Sequence, residues 1–190
     1  KLYGPKGVGA LFMRSNQPRA KILRQQHGGD HERGNRSGTL NVPGIVGFGK
    51  AAEICSKEMR NEGLFVRRLR DTLEEGLLSS IPSAYVNGAK NRLPHVTNIV
   101  FPSIDAEMLL LTVSKHIALS RGSACSGITQ KSSHVLRAMG LTENIARSAV
   151  RISVGRFTKE DDITYAVKIL SNAVSELEIK NNVGRELMHR

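Results

Sequence analysis

Apolar residues that recur every three or four positions predict three helical stretches along this chain. The first stretch covers residues 44–60, and its predicted inner face consists of Ile45, Phe48, Ala52 and Cys55. The second stretch, which is either a separate helix or a continuation of the first, ends at Ile81 and Pro82. Its apolar residues recur every four positions, at Phe65, Leu69, Leu73 and Leu77. The third carries the apolar stripe Ile163, Val167, Leu170, Val174 and Leu177. These spacings predict helices that each bury one face.

Shorter apolar segments between these helices predict strands and short helices. The predicted strands are residues 10–13, 84–86, 96–101, 117–119 and 150–154, and the predicted short helices are residues 105–115 and 132–139. Gly140 ends the second of these helices, Thr142 caps a further short helix, and Thr158 caps the last long one. Helix and strand therefore alternate from about residue 81 onward, which predicts an α/β fold with helices packed on a sheet. The polar tail after residue 180 is expected to fray.

The composition is typical of a soluble globular chain, with 39% hydrophobic and 24% charged residues among 190. That length allows one domain, or one small domain plus part of another. No apolar run approaches the roughly 18 residues that span a bilayer, and no export signal opens the chain. Two cysteines do not make a disulfide framework, so we expect a reducing compartment, either the cytoplasm or an organelle matrix.

The chain is strongly basic, with 28 Lys and Arg against 17 Asp and Glu and a net charge of +11. This surplus is compatible with nucleic acid, an anionic cofactor or an acidic protein surface. Aromatic residues make up only 4% and Trp is absent, so stacking platforms for single-stranded nucleic acid are poorly supplied. We therefore expect an acidic protein partner, without direct nucleic-acid or membrane binding.

Two segments rich in glycine and polar residues carry the candidate chemistry. In residues 121–127, Arg-Gly-Ser-Ala-Cys-Ser-Gly, glycines flank Cys125, and Arg121 favours the nucleophilic thiolate. An ordinary exposed cysteine in a loop is the alternative that this motif alone leaves open. Residues 27–44 form a long non-periodic stretch, which is usually either functional or disordered. His27 and His31 have a spacing compatible with a metal, but no second pair of ligands follows, so we predict no metal site.

Four segments of the chain together resemble one protein family: residues 1–7, 27–39, 121–127 and 151–158. In this order and at these spacings the chain resembles the pyridoxal-phosphate-dependent cysteine desulfurases of the class V aminotransferase group, in the housekeeping branch that serves iron–sulfur clusters. The resemblance covers roughly residues 1–178. It implies the C-terminal part of a fold-type I transferase, made up of the end of the large cofactor domain (1–45), connecting helices (46–80), the small α/β domain (81–180) and a polar tail (181–190).

The resemblance also assigns roles to single residues. Lys1 matches the lysine that holds the cofactor pyridoxal 5'-phosphate, and Thr39 matches the hydroxyl that reaches the cofactor phosphate from the other subunit of a homodimer. Arg151 matches the residue that grips the substrate carboxylate, which a planar guanidinium can bind through two parallel hydrogen bonds. Cys125 matches the nucleophile that receives sulfur. Cys55, on an apolar helix face, is expected to be a packing residue.

The implied activity is the removal of sulfur from L-cysteine, giving L-alanine and a persulfide on Cys125. The sulfur would pass to a scaffold or carrier protein for iron–sulfur cluster assembly or tRNA thiolation. Because the chain starts at Lys1, within a motif, we expect a C-terminal portion that is inactive when isolated. A selenocysteine lyase and a non-catalytic basic module that binds RNA or protein are the alternative hypotheses. Asp30, where a third glycine is usual, and the run after Cys125 depart from the family pattern and bear on the choice of partner.

Overall fold

The computed structural model describes residues 2–14, 16, 21–88, 91–120 and 132–188, with side chains up to residue 182. It divides into two compact units, Lys1–Arg60 and Asn61–Arg190. In chain order, the elements are a 3-10 turn (His31–Gly34), helix α1 (Val42–Ser80), strands β1 (Tyr85–Val86) and β2 (Val96–Val100), helices α2 (Ala106–Val113), α3 (His134–Ala138) and α4 (Glu143–Arg147), strand β3 (Ala149–Ser153) and helix α5 (Glu160–Met188).

Helix α1 joins the first two predicted helical stretches into a single helix of 39 residues. Pro43 lies in its first turn, where the absence of an N–H removes no helical hydrogen bond. The helix ends at Ser80, directly before Ile81 and Pro82, as the sequence predicts. The boundary between the two units falls inside this helix.

The first unit packs part of its opening segment against α1. Cys55 is half-buried on the helix, and its Sγ donates a hydrogen bond to the Leu2 carbonyl at 3.8 Å. Phe48 is also half-buried, whereas Ile45 and Ala52 are exposed. The predicted inner face of this part of the helix is therefore only half correct, since contact with the opening segment decides which residues are covered.

The strand predicted for residues 10–13 is wrong. This segment has no regular secondary structure, and its residues Leu11 and Phe12 are 73% and 89% exposed. A strand needs a neighbour to satisfy its backbone N–H and C=O groups. The described part of the first unit contains no strand that could pair with it.

The second unit is built on a three-stranded antiparallel sheet in the order β1-β2-β3. Its strands confirm the predictions for residues 84–86, 96–101 and 150–154 to within one or two positions. In the register of β2 and β3, Asn98 lies opposite Arg151. Because side chains on a strand alternate between faces, this register decides which residues share a surface.

One face of this sheet forms the main hydrophobic core with α1, α2 and α5. Ile99 and Val150 project from the sheet into this core, and both are 0% exposed. The predicted apolar stripes of α1 and α5 supply the facing layer, where Leu69, Leu73, Leu77, Leu170 and Val174 are each at most 1% exposed. The periodicity of these two helices therefore predicted the core correctly.

The opposite face of the sheet is only partly covered. Val100 and Ala149, at one end of the β2–β3 pair, are buried in a small cluster with Leu136 of α3 and Ala146 of α4. Further along the same face, Arg151 is exposed. The short helices therefore leave a polar surface open beside their own hydrophobic contact.

A buried polar cluster ties the segment before β2 to α1. Glu74 is 9% exposed and accepts hydrogen bonds from both terminal nitrogens of Arg92, at 2.6 and 2.9 Å. The buried Arg70 brings its Nε to 3.8 Å from the same carboxylate. Thr97, 2% exposed, accepts a longer hydrogen bond from Arg92 at 3.4 Å.

The predicted starts and ends of the short helices are largely confirmed. The Thr142 hydroxyl accepts a hydrogen bond from the Ile145 amide at 3.5 Å and caps α4. Gly140 has a φ of +91°, the left-handed conformation expected after a helix. Residues 117–119 do not form the predicted strand; they lead instead into a single β-bridge between Ser120 and Arg151.

Two predictions about α5 are wrong. The helix begins at Glu160, and the Thr158 hydroxyl accepts a hydrogen bond from the Gly155 amide at 3.0 Å instead of capping the helix. The tail does not fray after residue 180, because α5 continues to Met188. The side-chain amide of Asn181 donates a hydrogen bond to the Ser103 carbonyl at 2.9 Å and holds the start of this extension. None of the helices in the described ranges combines the length and the hydropathy needed to cross a membrane.

Candidate active site

The exposed polar surface of the sheet is centred on Arg151 of β3. The Arg151 amide donates a hydrogen bond to the Ser120 carbonyl at 2.7 Å, and the Ser120 amide donates to the Arg151 carbonyl at 3.3 Å. The guanidinium Nη2 donates a third hydrogen bond, to the Ser120 hydroxyl, at 3.2 Å. Both the backbone and the side chain of Arg151 are therefore held by one residue.

The described surroundings of Arg151 leave its positive charge available to bind an anionic ligand. Among the described residues, no Asp or Glu forms an ion pair with it. On the neighbouring strand, Asn98 lies opposite Arg151, and its Oδ1 accepts a hydrogen bond from Asn87 Nδ2 at 2.6 Å. An exposed, anchored guanidinium without a carboxylate partner in the described ranges is suited to bind a carboxylate from a ligand.

The described residues on either side of residues 121–131, which contain Cys125, are each held by hydrogen bonds. Ser120, directly before residues 121–131, is held by Arg151. Directly after that segment, the Ser132 hydroxyl donates a hydrogen bond to Glu143 Oε2 at 2.8 Å, and the Ser132 amide donates to Oε1 at 3.3 Å. The hydrogen bond from the Ser132 hydroxyl, helped by Arg137, lowers the pKa of Glu143 below its ordinary value.

A second polar region lies in the glycine-rich segment of the first unit. Arg36 Nη1 donates hydrogen bonds to the carbonyls of Gly38 and Thr39, at 3.1 and 3.3 Å, and so shapes the turn that leaves Thr39 exposed. Gly38 has a φ of +102°, which residues with a side chain rarely adopt. Ser37 is 5% exposed, and its hydroxyl has no hydrogen-bond partner in the part of the chain that the structure describes.

These groups fit the phosphate of pyridoxal phosphate. A phosphate needs several donors, and the segment offers the Thr39 hydroxyl, the unsatisfied Ser37 hydroxyl and the positive charge of Arg36. The buried hydroxyl is the most specific of these observations, because an unsatisfied buried polar group is costly unless something binds it.

Asp30, which stands where the resembled family usually has a third glycine, forms an ion pair with Arg24. Asp30 Oδ1 lies 3.2 Å from Arg24 Nη2, and the Asp30 carbonyl accepts a hydrogen bond from the Gly34 amide at 3.1 Å. Two of the three residues between Asp30 and Gly34, Glu32 and Arg33, have φ values of +52° and +57°. Such left-handed conformations at residues other than glycine cost of order 1 kcal/mol each, so contacts such as these must hold the turn.

The structure places two of the four residues predicted for the site. Thr39 is exposed in the first unit, and Arg151 is exposed in the second. Lys1 and Cys125 lie outside the described residues. Within the described ranges, no group of three or more His, Cys, Asp or Glu side chains is arranged to hold a metal ion.

Sequence reasoning missed the residues that anchor the Cys125 segment, Ser120 and Glu143. Ser120 stands at the end of the short apolar run 117–119 and directly before the cysteine motif, which was the only available signal. Glu143 lies in a short helix eleven residues after its partner Ser132, and no sequence pattern marks that contact. Both anchors depend on contacts between distant parts of the chain.

Comparison with known proteins decides the family. The family model for class V aminotransferases matches residues 1–165. The chain belongs to the class V aminotransferase family. This confirms the resemblance stated from the four motifs, and pyridoxal phosphate is the general cofactor of this family.

The relatives of this class V aminotransferase chain include a curated cysteine desulfurase. The cysteine desulfurase IscS of Anaeromyxobacter dehalogenans is 45% identical over 178 residues, which are 93% of this chain and 44% of that protein. A solved structure of a NifS-like protein matches 92% of this chain and 44% of its own, with a TM-score of 0.79 and 34% identity. SspA in complex with cysteine matches 83% of this chain and 42% of its own, with a TM-score of 0.58 and 31% identity.

These matches also bear on the fold and on the length of the chain. The mixed helix-and-sheet architecture is shared with the solved relatives, so the predicted fold class is confirmed. The chain spans less than half the length of each of the three relatives.

Proposed function

We propose that the protein carrying this chain is a pyridoxal-phosphate-dependent cysteine desulfurase, which removes sulfur from L-cysteine and releases L-alanine. The observation that carries this proposal is the anchored guanidinium of Arg151, exposed and without a carboxylate partner in the described ranges. Similarity to a desulfurase and to a protein solved with bound cysteine supports L-cysteine as the ligand.

Arg151 supplies substrate recognition in this proposal. Its planar guanidinium presents paired N–H donors that match a carboxylate. The Ser120 hydroxyl takes one donor of Nη2, and the guanidinium carries further N–H donors that have no carboxylate partner in the described ranges. Binding the substrate through its carboxylate fixes the amino acid and leaves its sulfur free to react.

Cys125 supplies the sulfur acceptor. It follows Ser120 by five residues, and a fully extended run of that length spans at most about 18 Å. Arg151 therefore holds the start of a segment whose cysteine is tethered within that distance. This tether supports a reaction between Cys125 and the sulfur of a substrate that Arg151 binds. Cys125 itself lies outside the described residues.

The proposed reaction balances without an external oxidant. The Cys125 thiolate attacks the sulfur of L-cysteine, an S–S bond forms, and the C–S bond breaks. The bonding pair remains on the substrate carbon, which takes up a proton to become the methyl group of L-alanine. The two sulfur atoms of the new S–S bond are each oxidised by one electron, the carbon is reduced by these two electrons, and the product on Cys125 is a persulfide.

Pyridoxal phosphate, when bound, supplies an electron-withdrawing ring that stabilises negative charge on the carbon atoms of the substrate. We propose that Lys1 holds the cofactor covalently and that Thr39 donates its hydroxyl to the cofactor phosphate of the partner subunit in a homodimer. The exposed position of Thr39 and the unsatisfied hydroxyl of Ser37 support this assignment. In this assignment residues 1–45 belong to a large cofactor domain, 46–80 connect it to a small domain at 81–180, and 181–190 form a tail.

We propose that the persulfide sulfur passes to a scaffold or carrier protein in the cytoplasm, for iron–sulfur cluster assembly or tRNA thiolation. An acidic surface on that partner would complement the net charge of +11. The name of the bacterial relative, a cysteine desulfurase, supports a sulfur-transfer partner without identifying it.

The test uses the full-length gene product with added pyridoxal phosphate and L-cysteine. Wild type should produce L-alanine, and mass spectrometry should find one extra sulfur atom on the peptide that contains Cys125. Cys125→Ala should abolish the persulfide and reduce alanine formation by at least a hundredfold, because the acceptor is lost. Cys55→Ala is the matched control and should keep both, since Cys55 lies half-buried on α1.

Two results would contradict the proposal. Alanine formation at the wild-type rate by Cys125→Ala would remove Cys125 as the sulfur acceptor. A higher rate with L-selenocysteine than with L-cysteine would favour the selenocysteine lyase hypothesis instead.

A further inference from the structure

We infer that Ser120 is a positioning residue for substrate recognition, which holds the Arg151 guanidinium in the orientation that binds the substrate carboxylate. This inference rests on the proposed function and extends it to a residue with no assigned role. The observation is the Arg151 Nη2 to Ser120 Oγ hydrogen bond of 3.2 Å, beside a pair of backbone hydrogen bonds between the same two residues.

The backbone bridge makes this side-chain contact specific. Ser120 and Arg151 exchange N–H···O hydrogen bonds of 2.7 and 3.3 Å, so their Cα atoms are fixed opposite each other although 31 residues separate them. Ser120 is half-buried, whereas Arg151 is exposed. The short Ser120 side chain, on a fixed backbone, is therefore a rigid hydrogen-bond acceptor for the long and otherwise mobile side chain of Arg151.

The physical effect is a reduction in the entropy lost on binding. An arginine side chain has several rotatable bonds, and ordering such a side chain costs free energy when a ligand binds. The Ser120 hydroxyl restricts the guanidinium before the substrate arrives. Because the carboxylate is bound in the ground state and throughout the reaction, loss of this restriction should raise KM and leave kcat nearly unchanged.

Steady-state kinetics of L-alanine formation by the full-length gene product tests this inference. Ser120→Ala should raise KM for L-cysteine roughly fivefold, with kcat within twofold of wild type. Ser120→Thr keeps a hydroxyl on the same backbone and should restore KM to within about twofold of wild type. The constant for competitive inhibition by L-alanine, which carries the same carboxylate, should rise by a similar factor in Ser120→Ala only.

Two control variants separate positioning from general loosening. Ser153 is exposed on the same strand and the same face as Arg151, so Ser153→Ala should leave KM unchanged. Ser132→Ala removes a hydroxyl anchor at the other end of the Cys125 segment without touching Arg151, and it should also leave KM for L-cysteine unchanged. A merely structural Ser120 would lower the urea midpoint and the active fraction instead, without a change in KM.

The outcomes distinguish this inference from the proposed function. If wild type forms no alanine, the proposed function fails and the inference fails with it. If wild type forms alanine but KM is the same in Ser120→Ala, only the positioning role is overturned. An equal rise of KM in Ser120→Ala and Ser132→Ala would also overturn it, because anchoring of the segment would then explain the effect.

Discussion

Glu74 lies on α1 between two arginines, and its replacement by alanine tests whether this buried cluster stabilises the second unit. The carboxylate is 9% exposed and accepts two hydrogen bonds from Arg92, at 2.6 and 2.9 Å, with Arg70 Nε 3.8 Å away. Arg70 keeps its hydrogen bonds to Asp71 and to the Leu93 carbonyl in the variant, so the loss falls mainly on Arg92.

The expected loss of unfolding free energy for Glu74→Ala is about 3 kcal/mol. Removing one partner of a buried ion pair costs about 3–5 kcal/mol, because the remaining charge is left without compensation. The Arg92 side chain is 21% exposed and can partly turn toward water, which places the loss at the lower end of that range. Glu74→Leu combined with Arg92→Met should lie within about 1 kcal/mol of wild type, since no buried charge then remains unpaired.

Urea unfolding of the full-length gene product, followed by circular dichroism, measures this change as a shift in midpoint at constant slope. Glu75→Ala is the matched control, because Glu75 is exposed on the same helix, and it should change the unfolding free energy by less than about 0.5 kcal/mol. Equal midpoints for Glu74→Ala and Glu75→Ala would refute the view that the cluster is stabilising.

The contribution of Glu74 should also depend on pH. Burial alone raises the pKa of Glu74, but hydrogen bonds from Arg92 and Thr97 and the charges of Arg92 and Arg70 outweigh it, so the pKa lies below the ordinary value of 4.5. A carboxylate whose pKa is lowered by folding stabilises the protein above its unfolded pKa, and this stabilisation is lost as the pH falls through the folded pKa. The difference in unfolding free energy between wild type and Glu74→Gln should therefore be largest near neutral pH and should shrink below about pH 4.5. A difference that grows on acidification would contradict this sign.

Two further predictions concern the core and a helix cap. Leu77→Ala should lower the unfolding free energy by about 3 kcal/mol, because Leu77 is 0% exposed and the substitution leaves a cavity. The control Leu64→Ala should cost less than about 0.5 kcal/mol, because Leu64 is 64% exposed. Equal urea midpoints for the two variants would contradict the assignment of Leu77 to the core. Asp105→Ala should cost about 1 kcal/mol, since the Asp105 carboxylate accepts hydrogen bonds from the Glu107 amide at 2.7 Å and the Met108 amide at 3.4 Å. Asp105→Asn keeps the acceptor and should retain most of the stability in thermal unfolding, and a loss equal to that of alanine would argue against capping.

The sequence by itself determined the elements whose apolar residues recur at a regular spacing. Leu69, Leu73 and Leu77 lie on one side of any helix, so their burial follows from local geometry wherever that helix packs. The apolar run at residues 96–101 likewise predicted the strand that the structure places at residues 96–100. Four motifs in order were also enough to predict the family and to select Thr39 and Arg151 as candidate site residues.

Tertiary structure alone decided which distant residues meet. Ser120 contacts Arg151 only because an isolated β-bridge pairs these two residues, which are 31 positions apart. Glu74 contacts Arg92 only because the segment before β2 lies against α1. Periodicity did not predict the exposed segment at residues 10–13 correctly, because a strand requires a partner that its own sequence does not specify. Local spacing determines which face of an element is apolar, whereas register and helix placement are settled only when all the faces are buried together.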